Sequence, residues 1–153
     1  MERPRLSTAD LIAYHVQLSE LADSADPGPA APGGWEQRER LRVSTWVRHA
    51  YDNPLSPAVF SAPAGEAVRE LQRSLAAGLA DRMSGTGHGT MPSAEVRAMA
   101  AVGAMWAITT EALLREDRLP RERLVREVWA LVRQTIAPPE RPGPRFVRAR
   151  GSW

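Results

Sequence analysis

The chain contains no cysteine, so no disulfide can staple it, an absence that suits a reducing compartment. Lysine is missing as well: all 20 basic residues are arginine. With abundant Ala, Pro and Gly, this is the imprint of a GC-rich coding sequence. It weakens any argument that arginine was selected here for phosphate or carboxylate recognition. Charge of one sign is scarce too, the formal net being only +2, and so small an excess does not mark a nucleic-acid binder. No stretch approaches the roughly 20 apolar residues of a membrane span. The opening MERPRLSTADL holds no apolar run of signal-peptide length. The expectation is a cytoplasmic protein with no membrane partner. Strand signals are lacking: alternation nowhere coincides with β-branched or aromatic enrichment, and no Asn-Gly or Asp-Gly turn occurs.

What is present is helical periodicity. A length of 153 residues suits one domain with a core of its own. The reading is all-α, a bundle of five to six helices over residues 1–137, followed by a Pro- and Arg-rich tail over 138–153 with little to bury. Ser7, with Asp10 three residues on and Leu6/Leu11 as a staple, opens the first helix, whose face carries Leu11, Ile12, His15, Leu18 and Ala22. DPGPAAPGG (26–34) is a loop. A second helix runs from Trp35 to Asp52 and stops at Asn53-Pro54; Pro57 to Ala62 holds one short turn. The third covers Ala64 to Met83, with Val68, Leu71, Leu75 and Leu79 inward, and SGTGHGTMP (84–92) is a flexible loop. The fourth spans Ser93 to Glu116, and the fifth opens at Pro120 and ends before Pro138-Pro139.

Signals for chemistry are weak. The three histidines, His15, His49 and His88, show no metal-ligand spacing, so no metal and no cofactor is expected. The GTGHG loop follows a helix and lacks a GK[ST] ending, which removes the context of a phosphate cradle. Glu111 and Arg115 read as a surface pair at i, i+4. No nucleophile elbow or paired-carboxylate pattern can be assembled, so no catalytic residue is named. The tail arginines, with Phe146 and Trp153, are a default solvated segment rather than a strand binder.

The last two helices say more. One face of the fourth carries Val96, Met99, Gly103, Trp106 and Thr110, another Ala98, Ala101, Met105, Ile108 and Ala112. A helix apolar nearly all round must be covered on more than one side. The fifth adds a broad stripe from Leu124 to Ile136. A two-fold four-helix interface between two copies would cover both, with Ala101, Met105, Val125, Trp129 and Val132 at its centre.

Four segments then resemble a known pattern: W-EQRERLRVSTWVRHAYDNP, AVRELQRSLAAGLADRM, AEVRAMAAVGAMWAITTEALLRE and RLPRERLVREVWALVRQTIAP. Their order, lengths and loops are similar to the C-terminal effector-binding and dimerisation domain of the TetR family of bacterial regulators. Ser7 to Leu21 resembles that family's connecting helix, although LSTADL lacks its usual aromatic and lysine. The resemblance implies a dimer and a pocket for a small apolar molecule. That pocket would be lined by Tyr14, Trp46, His49, Ala50, Leu71, Leu75, Met99, Gly103, Trp106 and Thr110, with Tyr14, His49 and Thr110 supplying polarity. It also implies a helix-turn-helix of roughly fifty residues ahead of the connecting helix. Only six residues precede Ser7, so the expectation is an effector domain without its own DNA reader, forming a homodimer or a heterodimer with a full-length relative. The alternative is a pocket turned to enzymatic work through His49, or to ligand sequestration.

Overall fold

The computed structural model describes residues 6–62, 65–84 and 93–137. Within them the chain is a bundle of six helices without a strand: α1 (Thr8–Ser24), α2 (Gly34–Asp52), α3 (Ser56–Ser61), α4 (Glu66–Ser84), α5 (Ala94–Leu114) and α6 (Arg121–Ile136). None is long and apolar enough to cross a membrane. Part of the second loop (85–92, with His88) and the tail (138–153) lie outside the described residues.

Local chemistry sets the boundaries. Ser7 caps α1 in a full capping box: its hydroxyl accepts from the Asp10 amide, while the Asp10 carboxylate accepts from the Ser7 amide at 2.9 Å. The Ser7 hydroxyl also donates to the Asp10 carboxylate at 2.7 Å, and this bond, with the one from the Ser7 amide, holds the Asp10 carboxyl below its ordinary value. Gly33, the residue before α2, has φ 92°, and a Cβ there would lie 2.7 Å from the Gln37 Cβ. Only glycine fits that entry. Asn53 ends α2 in extended geometry ahead of Pro54, and its side chain accepts from the Leu55 amide to turn the chain into α3.

α5 is the central helix, enclosed by α4 and α6 and touched by α3 and α2, while α1 lies chiefly on α2 and more lightly on α4. The side of α5 carrying Ala98, Ala101, Val102, Met105, Thr109 and Ala112 is buried, and Leu124, Val125, Val128, Val132 and Ile136 of α6 complete that part of the core. Of the residues read from the sequence as a dimer interface, Ala101, Met105, Val125 and Val132 are buried among this chain's own helices. Trp129 is half-buried and lies over α2, beside Gln37 and Arg40. The small size of Ala98 and Ala101 suits close approach of the chain's own helices.

Two polar features tie the bundle together. Arg97, buried along its length, donates from Nε to the Thr135 carbonyl at 3.0 Å and from Nη2 to the Ala137 carbonyl. It thereby closes the carbonyl end of α6. Asp26 accepts from Arg38 Nε at 2.6 Å and Arg42 Nη2 at 2.7 Å, which pins the first loop to α2. Hydrogen bonding from Arg38, above all, holds the Asp26 carboxyl far below the carboxylate range. Arg115 bonds Asp117 rather than Glu111, because the helix stops at Leu114 and the chain turns Asp117 back toward it.

Candidate functional site

Where α1, α2, α3 and α5 meet, the helices bring six rings together: Tyr14, His15, Trp46, His49, Phe60 and Trp106. Trp106 stands 4.7 Å from His15, 5.0 Å from Phe60 and 6.0 Å from Trp46, centroid to centroid. Tyr14 meets Phe60 edge-on at 6.3 Å and His49 at 6.0 Å. These separations are those at which a ring edge finds a neighbouring face. The Tyr14 hydroxyl is 2.5 Å from the Ser56 hydroxyl, and Ser56 is fully buried, so the phenol enters the core with a partner. Burial nonetheless pushes its pKa up.

His15 has no such partner. The ring is 2% exposed, and neither Nδ1 nor Nε2 has a hydrogen-bond partner. A neutral imidazole needs one donor and one acceptor satisfied, and each buried group left without one costs about 1–3 kcal/mol. Burial lowers the His15 pKa to about 4, so the ring is neutral at physiological pH. The hydroxyls of Thr109 and Thr110 on α5 are likewise buried without a partner.

Two spaces adjoin this cluster. A groove of about 340 Å³ between α1 and α4 is lined by Ile12, His15, Ala67, Val68, Leu71, Glu70 and Ser74. The second is a central cavity of about 70 Å³ below Trp46, walled by Val43, Leu75, Leu79, Val102 and Met105. Its polar rim is Glu39, which bridges Arg82 and Arg42. Pockets for drug-sized molecules run to roughly 300–1,000 Å³. The groove reaches that range, and the cavity has room for a few waters or a very small molecule.

The structure divides the residues expected to line one pocket. Tyr14, Trp46, His49 and Trp106 meet in the ring cluster. Leu71 walls the groove and Leu75 the cavity. Ala50 is fully buried in the core, and Thr110 is half-buried with its hydroxyl enclosed. Met99, 44% exposed, and Gly103 point outward instead, because the face of α5 that they share lies opposite the Ala98–Ala101–Met105 side on which α4 and α6 pack.

No family model, curated protein or solved structure matches the chain.

Among the described residues no carboxylate or hydroxyl pairs with His49. Its Nε2 lies 3.3 Å from the side-chain amide of Asn53, one turn on, and its ring neighbour is Tyr14. His15 and His49 flank Tyr14 rather than facing a common point, and no group of three metal-binding side chains occurs among the described residues. Two features were missed in the sequence. The Asp26–Arg38–Arg42 bridge spans a loop, so no periodicity announces it. His15 read as one member of an apolar stripe, and nothing in the pattern indicates that its nitrogens lack partners.

Proposed function

We propose that this chain is a small-molecule-binding domain of the TetR effector type, acting in the cytoplasm as a pair of copies. It takes up an apolar ligand in the groove between α1 and α4, against the ring cluster. The observation that carries this reading is His15: a buried imidazole without a partner, backed by Trp106 and Phe60, on the wall of a groove of ligand size. A core that only needed filling would be more stable with leucine there. A ligand that supplies the missing hydrogen bond offsets the cost.

Pairing is supported by the outward face of α5. Val96, Met99, Ala100, Gly103, Ala107 and Leu114 are all exposed there, Val96 at 59% and Leu114 at 47%. At 100° per residue they fall on one strip about 27 Å long. The strip has one charge at its border, Glu111, and small residues at its middle, so a second α5 could approach closely. The same strip would serve a heterodimer with a full-length relative. In this reading the helices sense ligand and partner.

The test is thermal unfolding with neutral aromatic compounds. A ligand at 100 times its Kd adds about 2.7 kcal/mol to the folded state, a shift of several degrees. Leu71→Glu, which places a charge on the groove wall, should abolish the shift while leaving the unliganded transition nearly in place. A ligand that stabilises both proteins equally would remove the groove from the proposal.

A further inference from the structure

Resting on the reading of the groove as a ligand site, we infer that His15 selects the ligand's chemistry: an uncharged molecule with a flat apolar body and one hydroxyl or carbonyl group. The walls give the body. Ile12, Ala67, Val68 and Leu71 are apolar, and the Trp106 ring lies tilted against His15 at 4.7 Å, centroid to centroid. The charges around the groove give the neutrality. Among the described residues no arginine lines it, so an anionic group meets no counter-ion there. Its one carboxylate, Glu70, already engages Arg73 at 2.9 Å, so a cation finds no free partner either. The imidazole gives the polar group. Both its nitrogens are buried and unpaired, and the neutral ring presents one donor and one acceptor. Its depressed pKa keeps it in that form. A hydroxyl can meet either nitrogen, whereas a carbonyl meets only the N–H. Access requires a small movement of Ile12, which is 47% exposed and forms the outer lip of the groove.

Two probes of nearly equal shape separate the contributions: 2-naphthol and 2-methylnaphthalene, which exchange a hydroxyl for a methyl. Fluorescence titration of the unmodified protein should show the naphthol binding about tenfold more tightly, the ratio that one hydrogen bond to a buried orphan provides. In His15→Phe, which keeps a planar ring against Trp106, the preference should vanish through weaker naphthol binding, with the methyl compound unchanged. Nitrogen-15 NMR of the unmodified protein gives a second readout that needs no variant. A His15 ring nitrogen should shift on adding the naphthol and stay in place on adding the hydrocarbon. Equal affinities in the unmodified protein, or a preference that survives His15→Phe, would overturn the role of His15 and leave the groove as a plain apolar site. Binding of neither probe would overturn both the inference and the ligand reading on which it rests.

Discussion

At the residue scale, the buried ionisable groups set how the molecule responds to acid. The folded pKa of His15 is about 4, below the 6.5 of an exposed imidazole, and the cause is burial. Its neighbours from the packed elements are Tyr14, Phe60 and Trp106, and the charged group on the shared groove is Glu70, occupied by Arg73. The unfolded chain therefore takes up a proton that the folded chain refuses. Stability should be full above pH 6.5 and fall as pH drops from 6.5 toward 4, by about 3 kcal/mol at most. Asp26, whose folded pKa is depressed, adds a further loss only below the ordinary carboxylate range. Urea unfolding from pH 4 to 7 should thus slope in the unmodified protein and lie nearly flat in His15→Phe. An equal slope in both would assign the effect to other groups. The apolar stripe of α1 was legible from spacing, His15 included. That Ile12 would stand half out of the core was not, since this depends on where α4 lies.

At the element scale, helix ends followed from short-range chemistry, and the reading from sequence came within two or three residues of each. Ser7 caps α1 as expected, Ser93 and Pro120, read as the first residues of their helices, stand one residue ahead of them, and Asn53-Pro54 ends α2. Caps and breakers act over one turn, so sequence neighbours suffice to identify them. Arg97 does not belong to that class. It is the one charge between Val96 and Ile108 of α5, yet it works 38 residues away, on the Thr135 carbonyl. Arg97→Met keeps the aliphatic stem and removes the donors. The change should cost about 2 kcal/mol, the scale of hydrogen bonds to a charged group. Amide exchange should quicken first in the last turn of α6. Unchanged protection at residues 133–137 would show that solvent serves those carbonyls equally well.

At the scale of the whole molecule, packing separates the two apolar faces of α5. The side with Ala101 and Met105, expected at a dimer interface, is the core, and the side with Met99 and Gly103, expected in a pocket, is the outward strip. Substitutions on the two sides should therefore fail differently. Ala101→Arg places an unpaired charge in the core and should unfold the chain, at a cost of several kcal/mol. Met99→Glu should leave the fold and its helicity intact and, if two copies meet on the strip, convert a dimer to a monomer in sedimentation. A Met99→Glu protein that sediments like the unmodified one would move the pairing surface off α5.

Periodicity, with caps and breakers, was enough to establish that the chain is helical, where its helices start and stop, and that α5 is apolar on more than one side. Those properties depend on residues within a turn of one another. Which apolar side faces inward, which histidine loses its partners and where a ligand-sized space opens depend on how α4 and α6 dock on α5 and how α1 lies across α4. Both orientations of α5 satisfy the same 3.6-residue pattern. Only the packing of small residues such as Ala98 and Ala101 against the chain's own helices chose between them.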